Sequence, residues 1–382
     1  MFKKIKSFFG LDRKTGEQEN EAMSQLSTIE QLKKLGYMYN EKGILVKVDA
    51  PDKGFTFEGQ AHYEKLGDVV ADEIQRRIRD VYHLEEHWLP CDDEAERPRG
   101  CKCNVFTTPD ILTSEAPLAV FICGSGAVVA GQWARSLCIN NSLDEGSSLP
   151  EIEMALKNGW SVLVTNNNMP MGTKKNDNSN ERALCAWKRF VRPSHARTIA
   201  VLAHSYGGIN TCYIIDDELR SGSTSVLDKI ACIAFTDSVH YPPNGASEEW
   251  FRNLGHKRVR NWVQSDDPLD TKEDSYDCIN CVSAGHRKHE FTTCSARKSV
   301  HKFMIENVEK YLHKADEEKS EPEKEIEKKG DDEVKKEEDE EKTEEKKEEE
   351  GKEEKTEEKK DEENKTDNGT VINDDDGDID MK

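Results

Sequence analysis

The sequence predicts an α/β fold: a mostly parallel sheet covered by helices on both faces, with a small N-terminal α+β cap and a disordered acidic tail. Three observations predict it. From about residue 100 onward, short wholly apolar runs alternate with helical stretches, the pattern of strands buried on both faces and joined by crossover helices. Ahead of them, helix and turn signals lie close together. After residue 313 the composition changes to little but Glu, Lys and Asp.

The chain has 382 residues, with 55 Lys+Arg against 77 Asp+Glu and a net charge of −22. Residues 314–382 hold 16 basic and 33 acidic residues, a net −17, which leaves −5 for the other 313 residues. The imbalance therefore belongs to the tail, and a body of about 290 residues is long enough for one large α/β domain. No stretch approaches the roughly 18–20 consecutive apolar residues of a membrane helix. The N-terminus starts basic but lacks the apolar core of about 7–15 residues that a signal peptide needs. Eleven cysteines is an odd number. Six of them (Cys101, Cys103, Cys123, Cys185, Cys212 and Cys232) lie within or beside apolar segments, as reduced core thiols of an intracellular protein do.

Taken in order, residues 1–24 read as a flexible leader. Phe2, Ile5, Phe8 and Phe9 share one helical face with Lys3, Lys4 and Lys6 around it. A frayed terminus is the preferred reading and a membrane-surface anchor the alternative. Ser27-Thr28-Ile29-Glu30 is a capping-box pattern that opens a short helix ended by Gly36. Asn40–Gly43 is a turn between Tyr37–Tyr39 and a strand Ile44–Val48. Leu66, Val70, Ile74, Ile78 and Val81 recur at helical spacing, so 61–85 is an amphipathic helix. Strands are expected at Cys101–Phe106, Leu118–Cys123, Trp160–Asn166, Thr198–Ala203, Lys229–Phe235, Val259–Gln264 and Ile279–Ala284. Helices are expected near 150–158, 181–191, 206–220 and 246–255, with a closing helix at 295–313. The domain then runs over 25–313, its cap over 25–99.

The tail, 314–382, contains only seven Ala, Val, Ile or Met residues and no aromatic one, and it repeats one eight-residue block at 340–347 and 353–360. Such a segment cannot bury enough surface to offset its chain entropy and stays disordered. It solvates the chain or attracts basic proteins, and it repels nucleic acid.

The sharpest chemical signal is Val201-Leu202-Ala203-His204-Ser205-Tyr206-Gly207-Gly208, an apolar strand running through His-Ser-x-Gly-Gly into a helix. This is the nucleophile-elbow pattern, in which a tight strand-to-helix turn lifts a serine above the sheet edge. The helix N-terminus behind it offers backbone N–H groups and a favourable dipole to an oxyanion. Gly124-Ser125-Gly126, after the apolar run Phe121–Cys123, is the expected oxyanion loop, together with Tyr206. The chain order after an elbow serine is acid, then histidine. Asp266, Asp267 and Asp270 follow the run Val259–Gln264, and His289 follows the last predicted strand. The expected site is therefore Ser205 as nucleophile, His289 as base and Asp267 as its carboxylate, with Asp237 and Asp270 as alternative acids. The run Cys278, Cys281, His286 and His289 resembles a zinc set, but a strand over 279–284 points its two cysteines to opposite faces. No metal or other cofactor is expected.

Further words of the sequence are Asn40–Gly43, Ala130-Gly131-Gln132-Trp133-Ala134-Arg135, Thr236-Asp237-Ser238-Val239-His240, Asn261-Trp262-Val263, Pro268-Leu269-Asp270-Thr271 and Val282-Ser283-Ala284-Gly285 with His289-Glu290. Together with Gly124–Gly126 and the Ser205 turn they resemble the cotranscriptional regulators that share an argonaute-binding-protein-type, α/β-hydrolase-like domain. The resemblance covers about 27–313. It implies an α/β-hydrolase-like fold and a role in the nucleus, with the cytoplasm as the alternative. It also implies chromatin-linked regulation of alternative splicing, with argonaute, chromatin-remodelling or splicing proteins as partners. A working serine esterase or amidase is the alternative function. In the family pattern Ser205 and His289 match, and the Asp267 position takes Asp or Glu. Cys123 stands where a histidine is expected, His286 where none is, and Met169–Asn180 is far shorter than the relatives' charged insertion. The acidic tail replaces a shorter, more basic end, and no ER-retention ending is present.

Overall fold

A computed structural model describes residues 26–317, except 175, 223, 241–245, 256 and 275–278. The leader 1–24, Cys278 and the tail beyond 317 lie outside the described residues.

The chain opens with helix α1 (Thr28–Lys34), whose Ser27 and Glu30 form the capping box in both directions. Gly36, at φ 86°, supplies the left-handed residue that ends it. Strands β1 (Tyr37–Tyr39) and β2 (Leu45–Lys47) pair as a small antiparallel hairpin across the Asn40–Gly43 turn. Helix α2 (Gln60–Asp80) buries Leu66, Val70, Ile74 and Ile78 along one stripe, as its period requires.

The main sheet has eight strands: β3 (Glu85–Trp88), β4 (Asn104–Thr107), β5 (Leu118–Ile122), β6 (Ser161–Val164), β7 (Ile199–His204), β8 (Ile230–Thr236), β9 (Val259–Val263) and β10 (Asn280–Ser283). Across the sheet the order is β10-β9-β8-β7-β5-β6-β4-β3. Pairings from β6 to β10 are parallel, while β4 is antiparallel to both β3 and β6. Thus β3, inside the segment expected as cap, lies in the main sheet at its edge. Its Glu85, Glu86 and His87 carry no apolar alternation, which is how an exposed edge strand protects itself from further pairing and why no strand is legible there.

Between the strands run α3 (Arg135–Asn140), α4 (Leu143–Gly146), α5 (Leu149–Lys157), α6 (Ser179–Ala186), a π-helical turn (Trp187–Val191), α7 (Gly207–Ser221), α8 (Ser225–Asp228) and α9 (Ala246–Leu254), and α10 spans 292–317. Strand alternation sorts the core into two layers. Ala119, Phe121, Ala200, Leu202, Ala234 and Trp262 face α2, α5 and α10; Val120, Ile122, Val201, Ala203, Ile233 and Phe235 face α6, α7 and α9. Both faces of the sheet are therefore covered, and the candidate residues gather at the edge where the parallel strands end.

Candidate active site

Ser205 follows β7 with φ 54°, a left-handed backbone that a serine adopts only where the turn demands it. The turn is held by its neighbours. Ser205 N–H donates to the Thr236 carbonyl (3.1 Å), and the Gly208 and Val239 N–H groups donate to the Ser205 carbonyl (3.1 Å each). Space explains the glycines. A Cβ on Gly207 would stand 2.6 Å from the Ile122 carbonyl oxygen, and one on Gly208 would collide with Ser238 Oγ. Gly124 presses on the serine itself, since a Cβ there would lie 2.9 Å from Ser205 Cβ. Tyr206 occupies the N-cap of α7, so the backbone N–H after the serine begins the helix.

The Gly124-Ser125-Gly126 loop is tied down by a residue that sequence reading missed. Asn168 donates through Nδ2 to the carbonyls of Gly124 (2.8 Å) and Val128 (3.0 Å), and its Oδ1 accepts from Gly126 N–H (3.4 Å). Arg182 in turn donates to the Asn167 and Asn168 carbonyls and is paired with Asp177 at 2.6 Å. The run Asn166-Asn167-Asn168 directly after β6 is the signal that could have found this tether. Cys123 is buried, its thiol pushed up to about 11 by burial, so it remains protonated at neutral pH.

The carboxylate at the histidine is Asp237. His289 Nδ1 lies 2.7 Å from Asp237 Oδ2, while Asp237 Oδ1 accepts from the Gln264 N–H at 3.2 Å. Asp237 is itself left-handed, at φ 44°, and its side chain is only 14% exposed. This corrects the choice of Asp267, which is exposed; its backbone N–H donates to Ser265 Oγ and its carbonyl accepts from Ser283 Oγ. Anchorage is the physical reason: the Gln264 N–H after β9 holds the Asp237 carboxylate at the sheet edge, whereas the Asp267 side chain is exposed to solvent. Asp237 ends β8, the immediate neighbour of the serine strand, whereas Asp267 follows β9, one strand further out. Asp270 is also set apart, its Oδ1 accepting from Trp262 Nε1 (2.8 Å) and Ser299 Oγ (2.7 Å). His286, from the zinc-like run, stacks on Phe291 with ring centroids 4.3 Å apart.

The bond to Asp237 holds the His289 imidazole above its ordinary pKa. It also fixes the proton on Nδ1, leaving Nε2 as the basic nitrogen. Behind His289 sits His204, ring centroids 4.7 Å apart. His204 is buried, and its Nδ1 reaches the Thr236 carbonyl (2.9 Å). Burial, followed by the neighbouring His289, pushes its pKa down to about 4, so this ring stays neutral beside the first. Trp133 packs edge-on against His204 and donates through Nε1 to Glu151, a carboxylate that is 1% exposed. Burial alone would raise the Glu151 pKa; Arg297 and His301 of α10 outweigh it and bring it to about 2.

A serine on a tight strand-to-helix turn, with an Asp–His pair delivered by later strand ends in the chain order Ser, Asp, His, defines an α/β-hydrolase-like domain. Within that class, the chain belongs to the family of the cotranscriptional regulator ARB2A. The Arb2 domain model matches residues 29–185. The cotranscriptional regulator ARB2A homolog of Dictyostelium discoideum is 33% identical over 320 residues, covering 73% of this chain and 80% of its own length. Human cotranscriptional regulator ARB2A is 28% identical, over 72% of this chain and 79% of its own. Among solved structures, an esterase of Pyrobaculum calidifontis aligns with 49% of this chain and 55% of its own at 15% identity and a TM-score of 0.30.

Proposed function

We propose that this protein is a nuclear cotranscriptional regulator working with argonaute, chromatin-remodelling and splicing proteins, and that its α/β-hydrolase-like domain carries a serine-hydrolase group made of Ser205, His289 and Asp237. The regulatory half is supported by ARB2A relatives matched over about four-fifths of their length. The hydrolase half rests on one observation above others, the 2.7 Å bond between His289 Nδ1 and Asp237 Oδ2, with a left-handed serine at the end of the neighbouring strand β7.

In that chemistry, Ser205 Oγ attacks the carbonyl carbon of an ester, thioester or amide and its proton passes to His289 Nε2. Asp237 stabilises the imidazolium that forms. The tetrahedral oxyanion is received by the Tyr206 N–H and by N–H groups of the Gly124–Gly126 loop. Collapse expels the alcohol, thiol or amine, which takes the proton from His289, and water then releases the acyl group by the same route in reverse.

The test is labelling of the purified protein by a fluorophosphonate probe, with Ser205→Ala and His289→Ala as controls, beside rescue of splicing in cells lacking the protein. Labelling lost in both variants, with nuclear wild-type protein restoring splicing, is the expected result. A folded wild-type protein that takes no probe would remove the hydrolase half. Failure of the wild type to enter nuclei or to restore splicing would remove the regulatory half.

A further inference from the structure

A cavity of about 370 Å³ opens between β9 and α10, sharing no residue with the Ser205, His289 and Asp237 group. Arg260 is one of its lining residues. The guanidinium lies 5.4 Å from the centroid of Trp262 and 5.0 Å from that of Phe303, both buried rings. Aromatic faces hold an arginine in place without using its N–H donors. Among the described residues the Arg260 side chain makes no hydrogen bond or ion pair, and its Nε is buried without a partner. Arg260 is half-buried, and among the described residues its terminal N–H groups have no partner, which leaves them available to a ligand in the cavity.

The surroundings define the charge of that ligand. Lys257, Lys302 and Lys310 line the same cavity, against Asp270 and Glu306, a net charge of about +2 with Arg260 included. Asp270 is occupied by Trp262 and Ser299, and Glu306 meets Lys302 and Lys310 only at 3.9 and 3.6 Å. We propose that this cavity binds a phosphate monoester dianion, held in the fork of Arg260 and by the ammonium groups of Lys257 and Lys302. A planar guanidinium matches two phosphate oxygens at once, and the lysines supply point charges for the third. The cavity is local, and two carboxylates flank it. That geometry suits a single dianion and opposes a continuous polyanion such as RNA.

The test is calorimetric titration of the full chain with inorganic phosphate, with a phosphoserine peptide, with the unphosphorylated peptide and with an RNA oligonucleotide. Saturable binding of phosphate or of the phosphopeptide is expected, weakening as salt rises. A tighter phosphopeptide would identify a protein-borne phosphate, and equal affinities a free one. Arg260→Ala is expected to weaken binding by roughly tenfold or more, the worth of a charged hydrogen-bonding partner. Because Arg260 also packs on Trp262 and Phe303, the surface double variant Lys257→Gln with Lys302→Gln serves as the second test, with a similar loss and an unchanged melting temperature. No saturable binding of either phosphate probe, equal binding of the unphosphorylated peptide, tighter binding of RNA, or undiminished binding by both variants would overturn the proposal.

Discussion

Two strand ends bring carboxylates to the same edge of the sheet, and they are put to different uses. At the end of β8, Asp237 is largely buried, left-handed, and engaged through both oxygens, one with His289 and one with the Gln264 N–H. At the end of β9, Asp266 and Asp267 are exposed, and Asp270 ties Trp262 of β9 to Ser299 of α10. The acid-rich loop is the more conspicuous in sequence and the less connected in space. What each carboxylate is bonded to distinguishes the two ends; the number of carboxylates on offer does not.

The comparison is broken most directly by exchanging the two acids for amides. Asp237→Asn is expected to slow fluorophosphonate labelling of Ser205 by about 10³–10⁴-fold, the loss that follows when the histidine is held in the wrong tautomer. Asp267→Asn should leave the rate within about twofold; equal losses in the two variants would mean that the two ends are not distinct.

The pH profile sharpens the same contrast. Labelling requires neutral His289, whose pKa the Asp237 bond raises above 6.5. The rate should therefore climb with pH through a midpoint above 6.5, and in Asp237→Asn that midpoint should fall, whereas Asp267→Asn keeps it. Stability follows the converse sign. The His289 contribution is full below pH 6.5 and is lost as pH rises through the raised value. That of neutral His204 is full above 6.5 and is lost as pH falls toward about 4. Denaturant midpoints across pH 4–8 would read both.

A third variant probes the packing under the β8 end. Gly208→Ala drives a methyl into Ser238, the residue after Asp237, and is expected to destabilise the fold by about 1–3 kcal/mol with a measurable fall in labelling. The smallest expected effect is Asp267→Ala on stability, within about 0.5 kcal/mol by chemical denaturation, as for an exposed side chain with no side-chain partner among the described residues.

Much of this architecture was legible in advance. The seven apolar runs became seven strands of the sheet within a few residues, because strands buried on both faces must be apolar throughout. The Ser205 turn was legible because its residues form one contiguous word, His204-Ser205-Tyr206-Gly207-Gly208, although the contacts that demand its glycines come from Ile122 and Ser238. Other features were hidden for physical reasons. The edge strand β3 keeps polar side chains. Asn168 acts across 44 residues on Gly124, and Asp237 across 52 on His289, so neither leaves a local pattern. The choice between Asp237 and Asp267 depends on which side chain meets His289, and that contact exists only in the folded chain.

The left-handed backbone of Ser205 and Asp237 has a consequence for how such a protein drifts. Both positions hold side chains that pay for their backbone with about 1–3 kcal/mol of strain, a load that glycine at either site would relieve. A lineage that had stopped using this serine and this aspartate would be rewarded for replacing them, since Ser205→Gly is expected to raise the melting temperature. Asp270 carries the same load at φ 67° away from His289, so keeping Ser205 and Asp237 speaks for the proposed chemistry only together with the His289–Asp237 bond.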